Sequence, residues 1–229
     1  MRKIYFLPPF ILQTSIWFIT YFLSRIVFLS LKVKGLENLK DLKRGVIFAV
    51  NHTGELDAIL IPASLPFLSH LMPMFYTSRE KSFYVRSGWR QNIYGGLFFN
   101  AWGAYKVYVG QNDYEVALQN HIKILEDGGS ICIFPEGNST RDGKIHRAKG
   151  GVAFLSHRTG KPIVPVSIKG LFGLSSKTFF TGKHKTTLRF GKPFYPKDIL
   201  GEGDEFTYEE YKKGAQKVMD EISLMFDQS

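Results

Sequence analysis

Apolar and polar positions alternate along the chain in two periods, one of strands and one of helices. Residues 31–35 read Leu-Lys-Val-Lys-Gly, the period-two pattern of a half-exposed strand. Residues 45–50, 71–77, 103–109, 130–134, 163–168 and 186–190 are short apolar runs that predict further strands, with Pro165 inside one of them. Between them lie helical patterns. Residues 113–127 place Tyr114, Ala117, Leu118, His121, Ile124 and Leu125 on one face, and Gly128-Gly129 closes it. Residues 149–158 predict a helix closed near Gly160, and residues 206–226 another, with Tyr211, Ala215, Val218, Ile222 and Met225 as its apolar line. Residues 58–68 are apolar, but Pro62 and Pro66 allow only a short or kinked helix. Residues 36–44 are polar and connect. This order predicts an α/β fold with a mixed, largely parallel sheet flanked by helices.

The amino-terminal pattern differs. Residues 4–24 carry no charged side chain, and residues 10–31 are mostly large and apolar. Pro8-Pro9 stand before the expected helix and Arg25 interrupts its far end. Gln13, Trp17, Thr20 and Ser24 make a narrow, weakly polar stripe at helical spacing. Arg2 and Lys3 precede the segment; Lys32 and Lys34 follow it. Two readings stand: a membrane helix, spanning or lying at the interface, or the core helix of a soluble protein. No small-residue cleavage site follows, so a cleaved signal peptide fits poorly. The expected division is a membrane-associated segment over residues 1–31 and one α/β domain over 32–229. Residues 79–100 interleave Arg79, Lys81, Arg86 and Arg90 with aromatics. That suits either a surface facing headgroups or phosphate, or an amphipathic helix with a solvated basic face.

Composition narrows the class. At 229 residues the chain holds one sizeable domain. Its net charge of +10 favours an anionic partner, whether nucleic acid, an anionic lipid surface or a phosphorylated substrate. The basic residues are dispersed and no nucleic-acid motif occurs, which argues against nucleic acid. The single cysteine, Cys132, lies in a predicted buried strand and reads as a small core residue, so no internal disulfide forms. His121 falls on an apolar helix face and reads as a satisfied core histidine. His146 and His157 have no evident partner set for a metal.

Two polar constellations follow predicted strands. In Asn51-His52-Thr53-Gly54-Glu55-Leu56-Asp57, a histidine and an aspartate stand five positions apart. Imidazole titrates near ~6.5 and suits general-base work; a carboxylate beside it fixes the tautomer and stabilises the cation. Five residues on one helix turn through about 500°, leaving the side chains ~140° apart. The pair therefore requires His52 in a loop and Asp57 in the first helical turn. The second constellation, Pro135-Glu136-Gly137, leads into Ser139, Thr140 and the bases Arg141, Lys144, Arg147 and Lys149. If its strand is a parallel neighbour of the first, both loops share one crevice at the carboxyl ends of the strands. Glu136 is then placed to bind a substrate hydroxyl, and the basic residues a phosphate. The bland reading is a tight turn with surface charges.

Asn51-His52-(four residues)-Asp57 followed by Phe134-Pro135-Glu136-Gly137 resembles the PlsC-type glycerolipid acyltransferases, the lysophosphatidic acid acyltransferase family. Residues 103–107 resemble that family's middle motif, 163–166 its fourth, and 33–39 its lead-in; the resemblance covers roughly residues 30–200. It implies acyl transfer from acyl-CoA or acyl carrier protein to a lysophospholipid hydroxyl, with His52 and Asp57 catalytic, and with Asn51 or amides near Gly137 polarising the thioester. It implies Glu136, Gly137, Arg141, Lys144, Lys106, Arg79 and Lys81 as substrate contacts, no cofactor or metal beyond the thioester co-substrate, and a site at the cytoplasmic membrane interface. Two positions depart from the family. Ser139 and Val109 stand where phosphate-holding arginines are usual. The departures keep open a lipid acceptor without that phosphate, such as a lyso amino-acid lipid or glycolipid. A thioesterase and a non-catalytic membrane-binding protein are the readings from other classes; no Gly-x-Ser-x-Gly elbow supports a serine esterase.

Overall fold

The run from Val46 to Val50 has no polar side chain, and in the computed structural model all of it is fully buried. Such a run suits a central strand covered on both faces. The structure describes residues 4–24, 30–78, 97–108, 113–174 and 185–228. Among these residues the strands are β1 (Lys32–Lys34), β2 (Ile47–Val50), β3 (Met74–Ser78), β4 (Ala104–Lys106), β5 (Ser130–Ile133), β6 (Ile163–Lys169) and β7 (Thr187–Phe190). They form one sheet in the order β1-β7-β6-β2-β5-β3-β4. Strands β4, β3, β5, β2 and β6 run parallel; β7 is antiparallel to β6 and carries β1 parallel to itself. The sheet is mixed and largely parallel, as the alternation of elements predicts.

Alternate residues of each strand enter different cores. Phe48, Val50, Met74, Tyr76, Cys132, Val164 and Val166 pack in one. Ile47, Ala49, Phe75, Ile131, Ile133 and Ile163 pack in the other. The helices are α1 (Leu7–Phe22), α2 (Asp57–Ser64), α3 (Leu97–Trp102), α4 (Tyr114–Ala117), α5 (Gln119–Glu126), α6 (Gly151–Thr159), α7 (Pro196–Leu200) and α8 (Tyr208–Asp227).

Local departures from the pattern have identifiable causes. The helix expected over 113–127 is broken at Leu118, because the Ala117 carbonyl accepts from the Tyr108 amide instead of continuing the helical ladder. The same bond turns the chain out of the sheet, so the strand expected over 103–109 is only three residues long. In α2, Pro62 has no N–H for the Ala58 carbonyl four residues back. The Tyr76 hydroxyl donates to that carbonyl at 2.6 Å, so the proline leaves a bonding site that fastens the helix to β3. Helix α8 starts at a capping box in which Thr207 and Glu210 bond each other's backbone amides.

The polar stripe of α1 is the face that docks. Gln13 is 1% exposed; its Nε2 donates to the Met74 and Trp102 carbonyls at 2.7 and 2.8 Å, and its Oε1 accepts from the Met74 amide at 2.9 Å. Trp17 donates to the Leu65 carbonyl at 3.1 Å. Pro8 and Pro9 lie in the first turn of the helix rather than before it, where a missing N–H costs nothing. Ile11, Phe18 and Phe22 are left exposed on the other side. His121 is buried as expected, but its bond from Nε2 to the Tyr76 carbonyl is long, at 3.4 Å. Burial lowers its pKa to about 4, against a small opposing pull from the Tyr76 and Tyr105 carbonyls. Cys132 is buried with no disulfide, as read from the sequence.

Replacing Gln13 with Leu removes its bonds to the Met74 amide and to the Met74 and Trp102 carbonyls inside the core, so stability in urea denaturation is expected to fall by about 2–4 kcal/mol. For His121, the folded pKa lies below the unfolded one, so the unfolded chain takes up the proton first. The stabilisation is complete above ~6.5 and is lost as pH falls from there towards 4. His121→Leu is expected to remove about 3 kcal/mol of acid sensitivity across that window, read as the difference between variant and parent denaturation curves.

Candidate active site

The carboxyl ends of β2 and β5, which are parallel neighbours, release the two polar loops side by side. Asp57 is the first residue of α2 and is 0% exposed. A buried carboxylate needs donors, and the loop supplies them. Its Oδ2 accepts from the Thr53 and Gly54 amides at 2.7 and 2.9 Å and lies 2.9 Å from His52 Nδ1. Its Oδ1 accepts from Thr53 Oγ1 at 2.6 Å. The position at a helix amino terminus adds a favourable dipole. Since Oδ2 only accepts, the contact selects the imidazole tautomer protonated at Nδ1, leaving Nε2 as the ring nitrogen able to take a proton. His52 lies outside the helix and Asp57 just inside it, the arrangement the five-residue spacing requires.

The imidazole is also held from its face. The Phe134 ring stacks on it with centroids 4.0 Å apart and planes 18° from parallel. The His52 side chain is 24% exposed, enough to meet a reactant. Tyr76 and Cys132 lie in the core on the same side of the sheet, and burial pushes the thiol pKa well up, helped by the charge of nearby Asp57. That side chain is no nucleophile.

Glu136 has a task the sequence did not reveal. It is 7% exposed, and its two oxygens accept from the His52 amide at 3.0 Å and the His146 amide at 2.9 Å. The Thr140 amide donates to the His52 carbonyl at 2.8 Å. The carboxylate thus ties the two loops together rather than standing open to a substrate hydroxyl. Gly137 adopts φ +77°, a left-handed backbone that favours glycine, while the Lys149 side chain end beside it could swing aside. Asn51 was expected as a carbonyl-polarising group, and the structure corrects this. Its amide donates to the Ile168 carbonyl at 2.9 Å and its Oδ1 accepts from the Ile168 amide at 2.8 Å. Both ends of that amide extend the β2–β6 ladder.

The basic candidates divide. Arg141 and Lys144 are exposed on the loop that Thr140 and Glu136 fasten to His52. Lys106 is exposed at the end of β4, with Nζ 4.5 Å over the Tyr108 ring. Strands β5 and β3 intervene between β4 and β2, so Lys106 is roughly 14 Å across the sheet from the pair. Arg79, Lys81 and Val109 lie outside the described residues. A groove of about 690 Å³ lined by Lys34, Asn38, Arg189 and Phe194 opens at the other end of the sheet, beside the start of β6, and takes no part in this site.

The profile of the family described as Acyltransferase matches residues 30–169, more than half of the chain. The chain belongs to that family. It is 29% identical over 169 residues to a 1-acyl-sn-glycerol-3-phosphate acyltransferase of Bacillus subtilis, covering 73% of this chain and 75% of that one. It is 24% identical over 144 residues to the chloroplastic 1-acyl-sn-glycerol-3-phosphate acyltransferase LPAT1 of Arabidopsis thaliana, covering 62% of this chain. There the match spans only 37% of the plant protein's length. The fold is that of the crystal structure of the 1-acyl-sn-glycerophosphate acyltransferase PlsC from Thermotoga maritima, with a TM-score of 0.62 at 20% identity over 94% of this chain and 81% of the other.

Within this candidate site, Thr53 and Phe134 are the side chains that residue type and spacing did not single out. Among the described residues Thr53 is the side chain that bonds Asp57 Oδ1, and with the two amides on Oδ2 it fixes which carboxylate oxygen faces His52. Thr53→Val keeps the shape and removes the donor. Acyl-transfer turnover is expected to fall about tenfold with KM little changed, and Thr53→Ser to restore it.

Proposed function

We propose that the chain transfers an acyl group from a thioester of coenzyme A or acyl carrier protein to the hydroxyl of 1-acylglycerol-3-phosphate, giving phosphatidic acid. The observation that carries this reading is the His52–Asp57 contact at 2.9 Å inside an Acyltransferase-family chain. The names of the Bacillus and Arabidopsis relatives support the acceptor.

In this mechanism His52 Nε2 takes the proton of the acceptor hydroxyl as the oxygen attacks the thioester carbonyl. Asp57 stabilises the imidazolium through Nδ1–H, and Phe134 keeps the ring in plane. The tetrahedral intermediate collapses with cleavage of the C–S bond. The imidazolium returns its proton to the departing thiolate, leaving an ester and a free thiol. Acyl passes directly between two bound substrates, so no serine or cysteine nucleophile and no cofactor is needed. Arg141 and Lys144, on the loop fastened to His52, are the cations placed for the acceptor phosphate, as Ser139 cannot be. Glu136 and Gly137 shape that loop.

The acceptor resides in a membrane. The outward side chains of α1, with Leu7, Ile11, Phe18, Ile19 and Phe22 exposed, and Ile4 just ahead of it, support docking at the bilayer interface. Because Gln13 and Trp17 fasten the opposite face to the domain, the helix lies along the domain rather than crossing the bilayer alone. Residues 1–31 then form the membrane-associated segment of a single α/β catalytic unit.

Thiol release from acyl-CoA tests the chemistry. Release that depends on lysophosphatidic acid, with little for monoacylglycerol or phosphate-free lysolipids, is expected. Release without acceptor would make the protein a thioesterase. His52→Ala is expected to lower the rate by about 10³-fold in protein that remains folded; full activity in that variant would overturn the base assignment.

A further inference from the structure

A ring contact joins two distant parts of the chain into one surface. Between α2 and β3 the chain makes a tip at residues 66–69, where Phe67 is 42% exposed and Leu68 54%. The Phe67 ring lies 4.7 Å from that of Phe18 and 5.3 Å from that of Trp17. The tip therefore continues the exposed apolar face of α1, on which Phe18, Ile19 and Phe22 stand out. A contiguous apolar surface of this kind marks an interaction site.

The backbone holds this tip in an unusual form. Leu68 sits at φ +55°, in the left-handed region that disfavours a branched L side chain. The turn is closed by the Ser69 amide donating to the Pro66 carbonyl at 2.9 Å and the Met72 amide donating to the Ser69 carbonyl at 3.0 Å. Strain that keeps a leucine in water is an indication of function, not of packing. His70 Nε2 lies 2.7 Å from the Leu42 carbonyl and seats the tip against residues 40–44. Lys40, Lys43 and Arg44 are exposed there, with Asp41 among them. Apolar side chains joined through the His70–Leu42 contact to a segment bearing exposed cations complement the hydrocarbon boundary and phosphates of an anionic bilayer.

We infer that residues 66–69 form a second membrane anchor. Phe67 and Leu68 enter the bilayer beside α1, and Lys40, Lys43 and Arg44 meet the lipid phosphates. The inference rests on the membrane docking of α1 proposed above and adds a point of attachment that the amino-terminal helix does not contain. Helix α2, eight residues long, joins this anchor to Asp57. The reacting pair would stand roughly 12 Å from the bilayer contact, within reach of a lysolipid headgroup.

Flotation of the full chain with phosphatidylcholine vesicles, with and without phosphatidylglycerol, tests this. Phe67→Ser with Leu68→Asn is expected to lower partitioning about tenfold. Its thermal midpoint is expected to hold or rise, because asparagine tolerates a left-handed backbone. Lys40→Gln with Lys43→Gln is expected to remove part of the phosphatidylglycerol dependence. Phe18→Ser with Phe22→Ser reports on α1 separately. If the helix variant loses partitioning and the tip variant does not, the second anchor is overturned while docking through α1 stands. If neither loses it, both fall. A tip variant that changes oligomeric mass in solution while keeping its vesicle partitioning would assign the tip to a second copy of the chain and overturn the inference.

Discussion

A carboxylate with no exposure to water is the constraint on which the candidate site depends. Asp57 is buried among apolar neighbours at the start of α2, and the fold must provide donors for it. Two main-chain amides, a threonine hydroxyl and an imidazole converge there, all from residues 52–54. The four-residue interval thus has a physical reason. It is the length of chain that lets a loop curl back over the first turn of its own helix. The reactive imidazole is positioned by the same bonds that satisfy the buried charge, so catalytic geometry and local stability are not separable in this loop.

The parallel pairing of β2 with β5 brings the second loop to the first, and there Glu136 acts as a clasp. Carboxylates thus support the centre from both sides: Asp57 orients the ring, and Glu136 fixes the main chain that carries it. Asn51 performs a similar service towards β6. Polar residues clustered near a reactive histidine invite catalytic assignments. Here most of that polarity is spent on backbone amides and carbonyls, because loops leaving a buried sheet carry groups that water cannot reach.

Much of this was legible in the sequence. Short apolar runs between helical patterns indicated the strands, and the angle between positions 52 and 57 required a loop followed by a helix. What could not be read was three-dimensional pairing. The side-chain bonds from Gln13 to Met74 and from Asn51 to Ile168 span 61 and 117 positions, with no periodic trace. The break at Leu118 depends on a bond between the Tyr108 amide and the Ala117 carbonyl, close in sequence but reaching from the chain after β4 to α4. The amino-terminal helix was the most instructive case. Its narrow polar stripe left a membrane helix and a core helix both open; the stripe is the docking face, and Leu7, Ile11, Phe18, Ile19 and Phe22 point outward. Amphipathicity gives two faces; only a partner's hydrogen-bonding groups tell which one is inside.

The clasp between the loops is built from main chain on the side of the basic loop. Thr140 and His146 contribute amides, which any residue other than proline carries. Within the loop Asp142 gathers the Thr140 hydroxyl, the Lys144 amide and the His146 ring, so the bonds to the His52 loop place no demand on the exposed side chains of Ser139, Arg141 and Lys144. Ser139, at the position where the family resemblance leads one to expect arginine, is exposed and stands next to the Thr140 amide that bonds the His52 carbonyl. Exposed positions such as 139, 141 and 144 can therefore change in residue type while the main-chain bonds that hold the histidine loop stay in place.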